Sequence, residues 1–389
     1  MQPERLLTKP FVLTMLAEFA LCTSIGMLLA VVPVYAHDEL GVGSFGVALA
    51  VAAVSPMVLV CQPLAGRFGD RRGRKFLIVA GGAIAALAVA GYVVADSLPL
   101  LVVLRLLTGA GEALLLVGAA TMITDLAPEH RRGEALSLFS LGLWGGLALG
   151  PIFGELVLGD DRFDSVWLFA AACCLASALI GLTLAETAPS REPDHHTTAR
   201  LVHPAAIGPG VVLSFTVLGF AGIGTFGALY ARELGLDGAG SVFLTFSAVV
   251  VATRVLARQV PDRLGPKRTA RVALSLIAAG LLTIGVWNVP AGLFAGTIVV
   301  AFGHALAFPS LMTLAVNAAP ASERSSVVGT FSAFTELGFL VGALSLGAIA
   351  STAGYDGVFV VCAFGPLLGV FVLSRLPAPR RVEALPEGA

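Results

Sequence analysis

The chain has 389 residues, of which 57% are hydrophobic and 13% charged, and its net charge is −1. An ordinary soluble domain carries about 25% charged residues, so a soluble chain of this composition could not cover its own surface with polar groups. The small net charge also provides no field that would attract nucleic acid.

Apolar blocks of about 20 residues, the length that crosses a bilayer as a helix, recur along the chain. Polar, charged or glycine- and proline-rich breaks between the blocks predict twelve helical spans, numbered 1 to 12. The predicted spans cover residues 11–36, 45–65, 76–95, 98–122, 135–158, 166–185, 207–230, 241–258, 270–288, 290–316, 327–352 and 358–376. Barrel strands would show short alternating segments, which these blocks lack. The sequence therefore predicts an all-α polytopic membrane protein, in which each span satisfies its own backbone hydrogen bonds.

The lysines and arginines indicate the orientation of the spans. If the N-terminus is cytoplasmic, two of these 24 residues, Arg162 and Arg232, fall in outer loops, and two more, Arg105 and Arg254, fall within spans. The other 20 fall on the cytoplasmic side. One missed span would exchange the sides of every later loop, so this bias supports the count of twelve. Both termini are therefore predicted to be cytoplasmic, in a protein of the inner or plasma membrane.

The chain contains an internal repeat at a constant offset of 192 residues. Matching pairs include Gly73 with Gly265, Phe139 with Phe331 and Gly150 with Gly342. The repeat predicts two pseudo-symmetric six-helix bundles, over residues 1–185 and 207–389. The long polar stretch between them, residues 186–206, is predicted to be a cytoplasmic linker.

The strongest motif lies in the short loop predicted between spans 2 and 3. It reads Gly66-Arg67-Phe68-Gly69-Asp70-Arg71-Arg72-Gly73-Arg74-Lys75. Glycine suits the tight turn, and Arg74 and Lys75 would anchor span 3 at the cytoplasmic surface. The full string resembles motif A of the major facilitator superfamily. A degraded copy, Asp262-Arg263-Leu264-Gly265, stands where that family has one, although Arg258 replaces its first glycine. The resemblance implies a gate in which Asp70 meets the start of span 11 and holds the cytoplasmic side closed.

Span 5 carries four glycines at four-residue spacing, with a proline beside the third: Gly142, Gly146, Gly150, Pro151 and Gly154. This spacing makes one smooth helix face that another helix can approach closely. The string over residues 146–154 also resembles motif C, which is typical of antiporters in the superfamily. Arg105, Gly109 and Gly111 in span 4 resemble its motif B, and Leu184-Ala185-Glu186-Thr187 is similar to what its drug exporters carry after span 6. The resemblance therefore implies a twelve-helix drug:proton antiporter.

Few charged or titratable groups fall deep within the spans. Such a group costs several kcal/mol at mid-bilayer and usually faces a cavity or a partner. The candidates for proton coupling or for lining the cavity are Glu18, Arg105, Glu112, His304 and Glu336. In carriers that this chain resembles, spans 1, 4, 7 and 10 line the central cavity, which would place the first four around one aqueous space. Arg254 is predicted to extend towards the cytoplasmic surface as a structural residue.

These residues predict a proton relay, because burial favours a neutral carboxylate and a nearby arginine favours an ionised one. A motion that shifts Arg105 could then exchange a proton for a substrate; a permanent ion pair of Glu18 or Glu112 with Arg105 is the structural alternative. The prediction is a monomeric, proton-coupled exporter of small amphiphilic organic compounds, driven by the proton gradient without a cofactor or a metal. A carrier of a defined metabolite and a flippase of lipids or lipid-linked saccharides are alternatives. Enzymatic activity is not predicted, because no catalytic triad, metal-type spacing or nucleotide loop occurs.

Overall fold

The structure, a computed structural model, describes residues 6–128, 131–159, 162–187, 202–256, 264–319 and 323–376. Most of these residues are helical, and no strand occurs among them. Ten of the described helices are long and apolar enough to cross a bilayer, and a further apolar helix has 17 residues. The predicted all-α polytopic fold is confirmed.

The helices follow the predicted spans in order. In the first half, span 1 is Lys9–Asp38, span 2 is Ser44–Ala52 followed by Val54–Arg72, span 3 is Arg74–Ala90 with the 3₁₀ turn Gly91–Val94, span 4 is Leu98–Leu126, span 5 is Arg132–Leu158 and span 6 is Phe163–Thr183. In the second half, span 7 is Pro204–Glu233, span 8 is Gly240–Leu256, span 9 is Pro266–Val286 and span 10 is Pro290–Asn317. Spans 11 and 12 form one stretch, Arg324–Arg375, with a non-helical residue at Gly354.

Three local features differ from the predicted boundaries. Span 2 is interrupted at Ala53, three residues before Pro56, whose missing N–H cannot bond to the carbonyl of Ala52. Spans 11 and 12 meet at Gly354, which has a φ of 71° that only glycine adopts easily. Span 7 begins at Pro204 rather than residue 207, because proline is favoured in the first turn of a helix.

The two halves pack their spans in the same pattern. In the first half, span 1 packs against spans 5 and 6, span 3 against spans 4 and 6, and span 2 against span 4. In the second half, span 7 packs against the stretch that contains spans 11 and 12, span 9 against span 10 and that stretch, and span 8 against span 10. Gly73 and Gly265 directly precede spans 3 and 9, with φ values of 96° and 79°. The repeat seen in the sequence is thus also visible in the fold.

In the described part of the chain, the halves meet mainly along three pairs of spans. Span 5 packs against span 8, span 2 against span 11, and span 1 against span 7. The predicted linker joins the halves at residues 186–206, of which 188–201 lie outside the described residues. The functional residues therefore have to be sought where these three pairs of spans come together.

Candidate functional site

A cavity of about 820 Å³ opens between spans 2 and 4 of the first half and span 11 of the second. Arg67, Val202 and Ser326 lie at its mouth, on the side that the charge distribution assigns to the cytoplasm. Its walls are mainly apolar and include Leu116 and Ala333. The cavity therefore faces the cytoplasm and is shared by both halves.

Polar groups lie just beyond the blind end of this cavity. Ser55 and Glu112 are one helical turn beyond the innermost lining residues of spans 2 and 4, and Glu336 is next to Leu337, the innermost one of span 11. The Glu112 side chain is close enough to Arg105 and Glu336 to interact electrostatically with both. The Ser55 hydroxyl lies within reach of the Glu336 carboxylate. The structure thus brings Glu112 and Glu336 from opposite halves near each other, with Arg105 two turns further along span 4 but close enough to act on Glu112 electrostatically.

Arg105 is held against the interruption in span 2. Its Nε donates to the carbonyl oxygen of Ala50 at 3.1 Å, and its Nη2 donates to that of Val51 at 3.0 Å. One turn along span 4, a Cβ on Gly109 would lie 3.0 Å from the carbonyl carbon of Val54. Span 4 is therefore joined closely to the interrupted part of span 2, and Arg105 has a structural role as well as a charge beside Glu112.

Glu18 lies apart from this group, in the seam between spans 1 and 5. It is 0% exposed, and neither carboxylate oxygen has a hydrogen-bond partner among the described residues. A Cβ on Gly142 would lie 3.0 Å from Glu18 Oε2. The same glycine face continues along the seam, with Gly146 against Cys22 and Gly150 against Gly26. The face predicted from the four-residue glycine spacing therefore packs against span 1.

His304 occupies a third place, within an aromatic cluster. Its ring lies 5.9 Å from Trp144 of span 5, 5.8 Å from Phe220 of span 7 and 5.6 Å from Phe246 of span 8. The Arg254 guanidinium lies 5.5 Å from the centre of the Trp144 ring. The structure therefore does not gather Glu18, Glu112 and His304 around one space, and Arg254 points to an aromatic ring of the other half.

The predicted loop at motif A is almost entirely helical. Span 2 continues to Arg72 and span 3 starts at Arg74, so that only Gly73 separates them, with a left-handed φ of 96°. The first turn of span 3 contacts other cytoplasmic ends of its own half. Arg74 Nε lies 3.3 Å from Asp125 of span 4, and Lys75 Nζ donates to the carbonyl of Leu182 at 2.7 Å. Both cations thus tie spans of the first half together.

The proposed Asp70 gate stays a prediction. The side chain of Asp70 and the start of span 11 at Arg324 lie outside the described side chains, and Asp262 and Arg263 of the second copy lie outside the described residues. Arg71 is exposed and Gly66 has open space beside it. The described part of span 11 is separated from the cytoplasmic half of span 2 by the cavity.

A carboxylate that sequence reasoning did not place at a site caps the start of span 3. The Oε1 and Oε2 atoms of Glu186 accept hydrogen bonds from the backbone N–H groups of Arg74 and Lys75, at 2.8 Å and 3.2 Å. An anion at a helix N-terminus is stabilised by the unpaired N–H groups and the helix dipole. Glu186 belongs to Leu184-Ala185-Glu186-Thr187, the string after span 6 that is similar to the one in drug exporters. That motif was the sequence signal that could have identified Glu186 as a functional residue.

The outer side of the molecule is closed by contacts between the halves. Arg232 Nη1 and Asp38 Oδ2 form an ion pair at 2.8 Å. Glu155 at the outer end of span 5 accepts a hydrogen bond of 2.6 Å from the backbone N–H of Gly240, at the start of span 8. The cavity at the other side is open, so the structure represents an inward-facing conformation.

Removing the carboxylate charge of Glu155 is expected to loosen this closure. A hydrogen bond to a charged group is worth about 1.5–3 kcal/mol, so Glu155→Gln should raise the outward-open fraction about tenfold. The measurement is the rate at which a membrane-impermeant maleimide, added outside, labels Ala30→Cys, which lines a small cavity beneath the contact. Glu39→Gln, at an exposed carboxylate of the same side, serves as the control. Equal labelling in both variants would contradict a closing role for Glu155.

The multi-pass helical fold and the cavity shared by both halves are typical of a membrane transporter. The Major Facilitator Superfamily model matches residues 14–282 and 210–389 of the chain. The chain belongs to this superfamily, as its motifs and repeat indicated, and its location is a membrane, which in bacteria is the inner membrane.

Relatives and solved structures agree with this assignment. The uncharacterised MFS-type transporter YhhS of Escherichia coli strain K12 is 27% identical over 384 residues, which cover 96% of this chain and 93% of the relative. The solved nucleoside transporter NupG superposes with a TM-score of 0.76 at 14% identity, over 94% of this chain and 99% of its own. A bacterial homologue of the lysosomal transporter Spinster, in an inward-facing conformation, also gives a TM-score of 0.76 at 14% identity, over 96% and 95%. At such identity the two structures support the fold alone.

Proposed function

We propose that the protein is a proton-coupled exporter of small amphiphilic organic compounds that works by alternating access. The observation that carries the proposal is the position of Glu112 and Glu336. These carboxylates come from opposite halves, interact electrostatically with each other, and lie just beyond the innermost lining residues of the cytoplasm-facing cavity. A proton taken up or released there is therefore next to the space that a substrate would occupy.

The pair can couple proton movement to rocking of the two halves for an electrostatic reason. Two carboxylates at close range repel each other when both are ionised, and the nearby Arg105 charge offsets part of that repulsion. Each carboxylate belongs to a different half, so rocking changes their separation. The number of protons held by the pair then depends on the conformation, which is the requirement for coupled transport.

The cavity walls suit an amphiphilic molecule. Leu59, Leu116 and Leu337 supply apolar surface, while Gln62 and Thr121 supply hydrogen-bonding groups. A volume of about 820 Å³ lies within the range of roughly 300–1,000 Å³ found for small-molecule sites. The similarity of residues 146–154 to motif C supports export in exchange for protons.

The test is proton movement in proteoliposomes that carry an imposed pH gradient. A panel of aryl carboxylates, lipophilic cations, neutral drugs and sugars is added, and the internal pH is followed. Wild-type protein is expected to show a proton flux that depends on one class of substrate. Glu112→Gln and Glu336→Gln should each lower that flux by about tenfold or more, because a proton-holding group has been removed from the pair.

Two further variants make the result specific. Glu39→Gln replaces an exposed carboxylate far from the cavity and should leave the flux unchanged. Glu18→Gln should also leave it largely unchanged, because Glu18 lies in the seam between spans 1 and 5 rather than at the cavity. Substrate movement without any proton flux would overturn the coupling and assign these carboxylates to structure or to substrate binding.

A flippase is the second candidate, and the shape of the cavity favours it. Val328 and Leu337 line the cavity and are 39% and 40% exposed, so the apolar groove is open along span 11. A lipid chain could enter from the side while its head group passes through the interior. Movement of a labelled lipid between leaflets, without proton flux, would select this function in the same proteoliposomes.

A further inference from the structure

Arg254 is an arginine inside the membrane without a counter-ion among the described residues. Its Nε atom is buried and has no hydrogen-bond partner in the described part of the chain. Arg254 and Trp144 each lie 14 residues from the outer ends of spans 8 and 5, a rise of about 21 Å. This depth is within a hydrocarbon layer about 30 Å thick. A cation held at such a depth usually has a functional partner.

The surroundings of Arg254 are aromatic rather than acidic. Its guanidinium lies over Trp144, and the same Trp144 ring contacts His304 in an edge-to-face arrangement. Phe220 and Phe246 complete the cluster, with ring centres 5.4 Å apart. No described residue forms a hydrogen bond with the His304 ring, which therefore keeps its donor and acceptor positions for a ligand.

The cluster also joins the two halves of the transporter. Trp144 belongs to span 5 of the first half, whereas Arg254, His304, Phe220 and Phe246 belong to the second. A molecule bound between them would contact both halves and would lose contacts with one of them when the halves rock. Binding at this place can therefore bias the conformation, as a transported substrate must.

We propose that Arg254, His304 and the three aromatic rings form a binding site for a planar aromatic anion, such as an aryl carboxylate. Arg254 pairs with the carboxylate through two parallel hydrogen bonds, which its planar fork of donors favours. The aromatic part of the ligand stacks among the rings, and His304 contributes a further hydrogen bond. This inference rests on the proposed function, since it names a class of compound that the exporter would bind, at a cluster that does not line the cytoplasm-facing cavity.

The charge of Arg254 decides between ligand classes. An aromatic cation would find ring faces in the cluster, but it would also meet an uncompensated guanidinium at close range. A neutral aromatic alcohol would gain the ring contacts without the ion pair. Affinity should therefore follow the order anion, neutral molecule, cation for ligands that share one ring system.

The experiment is isothermal titration of the purified full-length protein with naphthoate, naphthylmethanol and naphthylmethylammonium. A hydrogen bond to a charged group changes binding by about 10- to 100-fold. Naphthoate is therefore expected to bind wild-type protein at least about tenfold more tightly than naphthylmethanol. Arg254→Gln should bring the two affinities together, and Arg254→Lys should keep part of the difference. Arg375→Gln is the matched control, because Arg375 also lies over a ring, that of Phe371 at 5.0 Å, away from the cluster.

If wild-type protein bound naphthoate and naphthylmethanol with equal affinity, that result alone would contradict the proposed anion site. Retention of the full preference in Arg254→Gln would do the same. Trp144→Leu should lower the affinity for both ligands by a similar factor, because it removes an aromatic ring and no charge. The proton measurement is independent of these titrations. If naphthoate binds as expected and its movement in proteoliposomes produces no proton flux, the proton coupling fails and the anion site stands.

Discussion

Replacing Gly150 by alanine is expected to prevent spans 1 and 5 from packing and to leave little folded protein. The added Cβ would lie 2.8 Å from the Gly26 Cα atom and from the Met27 backbone nitrogen, and it would also meet the Thr23 carbonyl. These are backbone atoms, which cannot rotate out of the way as a flexible side chain can. Inserting a carbon into a packed interior commonly destabilises a protein by about 1–3 kcal/mol, and we expect about 3 kcal/mol or more at this position.

The control for Gly150→Ala lies on the same helix. A Cβ on Gly145 would lie 3.4 Å from the Phe19 ring, which is close to ordinary contact. Alanine is also a better helix former than glycine by about 1 kcal/mol, so Gly145→Ala should be neutral or slightly stabilising. The measurement is the monodisperse fraction after detergent extraction and its midpoint on heating. Similar midpoints for the two variants would contradict the prediction, because they would show that spans 1 and 5 can move apart at Gly150 without loss of stability.

The glycine face illustrates what a sequence can predict about such a fold. Its four-residue spacing predicts a smooth helix surface even when the helix that packs against it is unknown, because helical geometry alone places those positions in one line. The same holds for the twelve spans, which follow from apolar block length and from the bias of the cations. The fold could be predicted from the sequence because each of these signals is local or additive along the chain.

Which polar residues lie near each other could not be predicted from the sequence in the same way. Glu18 and Glu112 both lie in spans expected to line a cavity, yet one is in a helix seam and the other at the cavity end. The difference depends on how far each helix is rotated about its axis, and apolar spans with little amphipathicity give weak information on that angle. The Trp144 and His304 cluster was missed for the same reason, since membrane helices are rich in aromatic residues.

The interruption of span 2 was missed for a different reason. Pro56 is visible in the sequence, but proline is common in membrane helices and is often accommodated without a break. What fixes the interruption is Arg105 of span 4, which donates to the carbonyls of Ala50 and Val51. A contact between a side chain and the backbone of another helix leaves no pattern in either helix.

Replacing Arg105 by glutamine is therefore expected to destabilise the first half as well as to alter Glu112. The substitution removes a guanidinium that donates at 3.1 Å and 3.0 Å to two carbonyls of span 2. A buried polar group left without its partner costs about 1–3 kcal/mol, so the loss of both bonds should lower stability by about 3 kcal/mol. The measurement is again the heating midpoint in detergent, with Arg271→Gln at an exposed arginine of span 9 as the control.

A double variant separates the structural role of Arg105 from its electrostatic one. If the main effect of Arg105 is to balance the charge of Glu112, then adding Glu112→Gln to Arg105→Gln should restore stability, because no unbalanced carboxylate is left. If the main effect is to hold the carbonyls of span 2, the second substitution should restore nothing.

We expect no rescue, since the two hydrogen bonds are made to the backbone and do not depend on Glu112. Arg105→Lys should be intermediate, because its ammonium keeps the charge but lacks the fork that reaches two neighbouring carbonyls. Full rescue by Glu112→Gln would make the ion pair the primary contact. The hydrogen bonds to span 2 would then serve to orient Arg105 towards the proton-binding pair.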